Sequence, residues 1–336
     1  SDVCSSDLIV RLGAVRVCQA ALLMAAAGLA LNSLAAVAAT VAMVLFIGVA
    51  QGPINPASAH ILAQRVPREY FGMVFSVKQT GTPLGFALAG ILFPALIDWI
   101  GWRGASLFAA GMLVAAAILV EPLRPRLDVL VTQAGPSRSI WHSMKFVVRH
   151  RELRVLGVSA FVYVVAQHTF TFYLVTYLYE HCGLSIARAG FLLFLSQIAG
   201  SAVRLVSGGA GDRIPRMKLL GWTGIGMTAG CIATGLISPS TPFWLIAFVV
   251  MGYGSVVISW NGTSQAEFAH LSPPGEAAAV AAVQTALAFA GAVAGPPLFA
   301  VIAAVFDYRA AFFAVSLVVL GVSIWQLFMA RRSTAA

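Results

Sequence analysis

The sequence contains few charged residues and few cysteines. Only 10% of its 336 residues are Asp, Glu, Lys or Arg, whereas soluble domains carry about 25%. The four cysteines, Cys4, Cys18, Cys182 and Cys231, show no disulfide or metal-site spacing. The six histidines form no spacing typical of a catalytic or metal cluster. These shortages argue against an enzyme, and we expect neither a metal nor another cofactor.

Apolar residues take the place of the missing charge. They make up 60% of the chain, and the mean hydropathy is +0.89. Because a helix of about 20 apolar residues crosses a bilayer, the sequence predicts an all-α polytopic membrane protein. Ten spans are predicted, at Val15–Leu34, Val37–Leu62, Phe71–Ile97, Gly104–Val120, Val155–Tyr179, Ala187–Val206, Leu219–Ile237, Phe243–Ala266, Ala278–Val305 and Ala310–Ala330.

The basic residues that give the net charge of +9 lie mostly in the predicted loops. Sixteen of the 21 Lys and Arg residues fall in loops on one side of the spans, whereas Arg103, Arg188 and Arg309 fall on the other. Such an excess marks the cytoplasmic side. We therefore expect a bacterial inner-membrane protein in which both ends of this chain are cytoplasmic. On this interpretation the basic residues set the topology and bind no nucleic acid.

The chain also repeats itself. A lag of 206 residues relates Pro67 to Pro273, Lys78 to Gln284, Gly85 to Gly291, Trp102 to Tyr308 and Arg103 to Arg309. Two related halves in an apolar chain are typical of transporters whose substrate site lies between the halves. We predict a four-helix bundle over 9–120, a polar cytoplasmic linker over 121–154 with a surface helix at Ile140–Arg149, and a six-helix bundle over 155–336.

The first eight residues, Ser-Asp-Val-Cys-Ser-Ser-Asp-Leu, match one reading frame of a common sequencing-library adapter. We exclude them from the fold argument as a processing scar, with a natural polar N-terminus as the alternative. The second half carries two helices before Arg213, whereas almost nothing precedes Arg11 in the first half. We therefore expect about two helices to be missing from the first bundle.

One short loop carries the most specific motif. It reads Gly208-Gly209-Ala210-Gly211-Asp212-Arg213-Ile214-Pro215-Arg216-Met217-Lys218, and its first-half copy is Val10-Arg11-Leu12-Gly13-Ala14-Val15-Arg16, with Val10 in place of the Asp. A glycine, three residues, Asp-Arg and two further basic residues in such a loop resemble the signature of the major facilitator superfamily. The resemblance covers 9–330 and implies helices three to twelve of a two-bundle transporter that works by alternating access.

The resemblance also implies a gating role for the signature loop. Small residues let two helices approach closely, while an aspartate and basic residues can pair across the bundle interface and latch one conformation. The loop residues concerned are Gly208, Asp212, Arg213, Arg216, Arg11, Gly13 and Arg16. Two departures argue against a drug/proton antiporter: Gly48 stands where the fourth-helix pattern has arginine, and Phe86-Ala87-Leu88 replaces the expected proline and paired glycines.

Two basic residues, Lys78 and Arg204, lie inside predicted spans. Each is eight residues from a predicted cytoplasmic helix end, or about 12 Å at 1.5 Å per residue. A charge at this depth costs about 2.5–3.5 kcal/mol, so it has a partner or a task. Two cations without a midplane carboxylate favour an anionic substrate. The alternatives are that Lys78 snorkels to the surface and that Arg204 supports the signature loop.

Several polar residues on predicted cavity helices are weaker candidates. Substrate contacts are predicted for Tyr163, Gln167, Asn261, Gln51 and Asn55, although hydrogen bonds between helices are the simpler explanation for each. Glu267 can neutralise either cation. His168 can carry a coupling proton or serve a structural role.

The sequence thus predicts a monomeric secondary transporter in the lipid bilayer. Its partners are a small organic or inorganic anion and either a coupling proton or a counter-anion. Two alternatives remain: an exporter of neutral or drug-like compounds, and a membrane sensor built on a transporter fold.

Overall fold

The computed structural model describes residues 12–65, 71–128, 140–210, 214–272 and 277–333. These residues form α-helices and one 3-10 turn at Glu121–Leu123, and no β-strand occurs among them, which confirms the all-α prediction. The helices are α1 (Ala14–Asn32), α2 (Val37–Arg65), α3 (Phe71–Val120), α4 (Arg124–Leu127), α5 (Ile140–Arg149), α6 (Arg151–Glu180), α7 (Ile186–Ala210), α8 (Arg216–Gly235), α9 (Phe243–Val257), α10 (Trp260–His270), α11 (Ala277–Val305) and α12 (Tyr308–Ser333).

Eight segments of the described residues are long and apolar enough to cross a membrane. Ten were predicted, and both differences have a local cause. Two predicted spans lie in the single segment 77–123, interrupted only at Gly101, whose φ of 71° is not helical. The predicted span at Leu219–Ile237 is helix α8, which is not among the eight and carries glycines and threonines between its apolar residues.

The chain divides into two compact units, and α3 contributes to both of them. The first unit comprises 1–74 and 92–137, and the second comprises 75–91 and 138–336. The bundle boundaries drawn from the sequence therefore stay a prediction. Within the predicted linker, the helix at Ile140–Arg149 is confirmed as α5. Helix α6 begins at Arg151 and therefore includes the last four residues that the prediction assigned to the linker.

In the first unit, polar contacts fix the end of α1 that follows the signature-loop copy. The Asp128 carboxylate accepts a 3.0 Å hydrogen bond from the Val15 N–H at the start of α1. Gln19 donates to Ala117 O at 2.9 Å and to Glu121 Oε2 at 2.8 Å. An anionic side chain at a helix N-terminus satisfies open amides and complements the helix dipole, so the end of α3 and the residues after it hold α1.

The second unit is built around α6, which is the most deeply buried helix of its core. Leu153, Tyr163, Phe170 and Tyr177 of this helix are all fully buried. Where α11 contains Pro296 and Pro297, the Tyr173 hydroxyl donates to Pro296 O at 3.0 Å. This contact joins α6 to α11 beside the two prolines.

Candidate functional site

Lys78 lies near the start of α3, in the part of that helix that belongs to the second unit. Its side chain is half-buried. The next residue, Gln79, offers its backbone carbonyl to the guanidinium of Arg204, whose Nη1 lies 2.6 Å away. The structure therefore brings the two predicted intramembrane cations to neighbouring positions.

Arg204 is held by helix α3 and by the turn between α9 and α10. Its side chain is 4% exposed. Nε and Nη2 donate to Ile258 O at 3.1 Å and 2.5 Å, in the turn between α9 and α10. These bonds are charge-assisted and therefore stronger than neutral ones. The hydrogen-bond partners of Arg204 in the described part of the chain are thus backbone carbonyls of α3 and of the α9–α10 turn.

Glu267 pairs with the signature loop. Its carboxylate lies 3.6 Å from Nη1 of Arg216, and both side chains are largely shielded from solvent. Of the other loop residues, Gly208 lies in α7, whereas Asp212 and Arg213 fall outside the described residues. The predicted charge partner is therefore bound to the loop cation at the start of α8.

The first-half copy of the loop is described from Leu12 onward, so Arg11 lies outside the described residues. Gly13 has a φ of 89°, and a methyl group at this position would lie 2.5 Å from Asp128 Oδ2. Arg16 approaches Glu121 at 3.8 Å, but both side chains are half-exposed, so this pair stabilises little. A glycine is required at position 13 because the Asp128 carboxylate comes so close.

Tyr163 and Gln167 take part in hydrogen bonds between helices. The Tyr163 hydroxyl lies 3.1 Å from Leu220 O, 3.2 Å from Ser323 Oγ and 2.5 Å from Gln326 Oε1. Gln167 accepts a 3.0 Å hydrogen bond from the Trp260 indole. These contacts join α6 to α8, α12 and α10. A role for either residue in substrate binding stays a prediction.

The remaining candidates are spread over both units. Asn261 accepts a 2.9 Å hydrogen bond from Gln265 within α10. Nδ1 of His168 lies 3.2 Å from Val164 O, and its ring meets Phe172 edge-on. Gln51 is exposed on α2 in the first unit, and Asn55 lies in the same helix but its side chain falls outside the described part.

Sequence reasoning missed Gln284 as a polar contact of the second unit. Its Nε2 donates to Ser264 Oγ at 2.8 Å, and both side chains are buried. The internal repeat already pairs this glutamine with Lys78, which was the available signal. The structure also implicates Gln79, whose backbone carbonyl, rather than its side chain, makes the contact with Arg204.

Cysteine and metal chemistry is not evident in the described residues. Cys182 and Cys231 are free thiols there, while Cys4 lies outside the described residues. Within the described ranges, no group of three His, Cys, Asp or Glu side chains is placed to hold a metal ion. The arrangement that the described residues do show is the Arg204 guanidinium on two backbone carbonyls, one of which belongs to the residue after Lys78.

Comparison with known proteins gives one consistent family. Residues 5–293 match the Major Facilitator Superfamily. An uncharacterised MFS-type transporter of Mycobacterium tuberculosis strain CDC 1551 is 26% identical over an alignment of 293 residues, and the match covers 82% of this chain and 62% of the relative. A counterpart in strain H37Rv matches to the same extent. This chain thus spans less than two thirds of the length of these relatives.

Solved transporters share the fold. The Escherichia coli fucose:proton symporter superposes with a TM-score of 0.68 at 16% identity, covering 97% of this chain and 86% of the symporter. A POT family transporter in complex with 5-aminolevulinic acid gives 0.72 at 14% identity, with 98% and 84% covered. The human organic anion transporter TETRAN gives 0.64 at 18% identity, with 96% and 79% covered. At these identities the likeness establishes the fold of a multi-pass membrane transporter and nothing about its cargo.

Proposed function

Because the chain belongs to the Major Facilitator Superfamily, we propose that it is part of a secondary transporter that moves a small organic or inorganic anion by alternating access. The proposal places it as a monomer in a bacterial inner membrane, with both ends of the chain in the cytoplasm. It couples transport to a proton or exchanges one anion for another. His168 is the proposed proton carrier.

The observation that carries the anion proposal is the proximity of Lys78 and Arg204. The Arg204 guanidinium lies 2.6 Å from the backbone carbonyl of the residue that follows Lys78. Glu267, the carboxylate expected to neutralise one of them, is paired with Arg216 instead. Positive charge in a low-dielectric region favours an anionic over a neutral ligand. Lys78 is the proposed direct contact with the anion, whereas Arg204 contacts the backbone beside it.

The other predicted contacts stay part of the proposal. Tyr163, Gln167 and Asn261 of the second unit are proposed to contact the uncharged part of the substrate. Gln51 and Asn55, on α2 of the first unit, are also proposed as substrate contacts. The signature loop is proposed to latch one conformation through Arg216 and Glu267, which lie 3.6 Å apart.

Uptake into proteoliposomes tests the proposal. The whole chain is reconstituted, and uptake of radiolabelled phosphate, a monocarboxylate, a dicarboxylate and a neutral sugar is compared. Lys78→Ala removes one charge-assisted contact worth about 1.5–3 kcal/mol, so the KM for the transported anion should rise about 10–100-fold. Lys78→Arg should retain part of the affinity, since it keeps the charge. Lys145→Ala is the matched control, because Lys145 is exposed on α5.

Three outcomes would contradict the proposal. Anion uptake that is unchanged in Lys78→Ala removes this residue from the site. Uptake of the neutral sugar without that of any anion favours the neutral-solute transporter. Saturable binding without flux of any tested solute favours a sensor.

A further inference from the structure

Two backbone carbonyls of the second unit are left without their ordinary helical partners, and both contact Arg204. In an α-helix the carbonyl of residue i accepts from the N–H of residue i+4. For Gln79 that residue is Pro83, which has no N–H and whose ring crowds the carbonyl four residues earlier. The Gln79 carbonyl is therefore open in the helix that carries Lys78.

The second open carbonyl belongs to a helix end. Helix α9 ends at Val257 and α10 starts at Trp260, so Ile258 lies in the turn between them. The last carbonyls of a helix lack intrahelical donors and carry the negative end of its dipole. A cation is the favoured partner at this position. In a membrane, where water is absent, an unsatisfied carbonyl costs several kcal/mol.

The guanidinium of Arg204 can donate to both of these carbonyls. Its guanidinium presents five N–H donors in a rigid plane. Nε and Nη2 donate hydrogen bonds to Ile258 O at 3.1 Å and 2.5 Å, while Nη1 donates to Gln79 O at 2.6 Å. One side chain of α7 thus joins a proline-interrupted turn of α3 to the break between α9 and α10. A lysine at this position would have only one nitrogen for two carbonyls.

We infer that Arg204 is a positioning residue, which fixes the backbone next to Lys78 against the α9–α10 break, and that it does not itself bind the anion. The inference rests on the proposed function, in which Lys78 contacts the anion. Loss of Arg204 then weakens anion binding because Lys78 is no longer held in place. The fold increase in KM should be the same for a monoanion as for a dianion.

A double-mutant cycle separates positioning from direct binding. We expect Arg204→Ala to raise the KM about tenfold, and Arg204→Lys to restore little of it although it keeps the charge. In a Lys78→Ala background, Arg204→Ala should add little further loss, because both changes act on the same contact. Arg188→Ala is the control, since Arg188 is exposed on the same helix. Additive losses, full rescue by Arg204→Lys, or a larger loss for the dianion would overturn the inference.

Hydrogen–deuterium exchange supplies a readout that does not depend on transport. Arg204→Ala should speed exchange in the peptides that contain Gln79 and Ser259, whereas Arg188→Ala should not. Pro83→Ala adds a backbone N–H four residues after Gln79. In that background, Arg204→Ala should speed exchange in the peptide that contains Gln79 by a smaller factor. If exchange responds in this way but Lys78→Ala leaves uptake unchanged, the proposed function fails, whereas the inferred hydrogen bonds of Arg204 with the two carbonyls stand. If exchange does not respond, the inferred role of Arg204 is wrong, whatever the effect of Lys78→Ala.

Discussion

Replacing Tyr163 with phenylalanine removes the hydroxyl group that links α6 to α8 and α12. The Tyr163 side chain is fully buried, and its hydroxyl meets Leu220 O of α8 together with Ser323 and Gln326 of α12. The Tyr163→Phe variant keeps the ring, which packs edge-on against Trp260 with centroids 5.7 Å apart. The change therefore isolates the hydrogen bonds.

The expected cost follows from these contacts. A hydrogen bond between membrane helices contributes about 0.6–1.7 kcal/mol, and a buried amide left without its partner costs about 1–3 kcal/mol. Ser323 retains a bond to Val319 O, so the loss falls mainly on Gln326. We expect destabilisation by about 1–2 kcal/mol. Since 1 kcal/mol shifts the Tm of a large domain by about 2–4 °C, the Tm should fall by about 2–8 °C.

Thermal unfolding monitored with a thiol-reactive fluorophore measures this change. Cys182 and Cys231 are buried and become reactive as the protein unfolds. Tyr179→Phe is the matched control, because Tyr179 lies on the same helix and is 51% exposed; it should leave the Tm unchanged. A Tyr163→Phe protein with an unaltered Tm but a raised KM for the anion would refute the structural role and support the predicted substrate contact.

Two further predictions concern a helix contact and a thiol. Gly90→Ala should cost about 1–3 kcal/mol, because the added methyl would lie 2.9 Å from Gly190 O of α7. Gly85→Ala, on the same helix with open space around it, should be neutral or slightly stabilising in thermal unfolding; equal effects would contradict the close approach. Burial raises the pKa of the Cys182 thiol to about 11, so its alkylation, followed by peptide mass spectrometry, should accelerate about tenfold per pH unit up to that value. A plateau near pH 9 would show an ordinary thiol.

The fold was predictable because its signals are long and redundant. Apolar runs, basic loops and the repeat all indicated the same helices, and even the short helix at Ile140–Arg149 was found. The start of α6 was missed because Glu152 and Arg154 look like linker, although polar residues suit a helix end at the membrane surface. Helix α8 was predicted at Leu219–Ile237 from its apolar residues, despite the glycines between them.

The candidate site was less predictable, because sequence shows that a residue is polar but not which atom it meets. Lys78 and Arg204 stood out by charge alone, yet the partners of Arg204 are main-chain oxygens, which no side-chain pattern reveals. Pro83 was visible as an interruption of a span, but its effect on the Gln79 carbonyl required the position of α7. Tyr163 and Gln167 were recognised as polar residues inside a span, but their partners depend on the neighbouring helices.

The hydrogen bond between Asp128 and the start of α1 connects residues 113 positions apart in the chain. A ribosome delivers the chain from its N-terminus, so the amides at this end of α1 meet their carboxylate only after α2 and α3 have been made. Val10 stands where the signature has its own aspartate, and hence no earlier residue of the loop copy supplies that acid. The hydrogen bond at this helix end can therefore form only after the segment that follows α3 has been synthesised, however readily α1 itself inserts into the membrane.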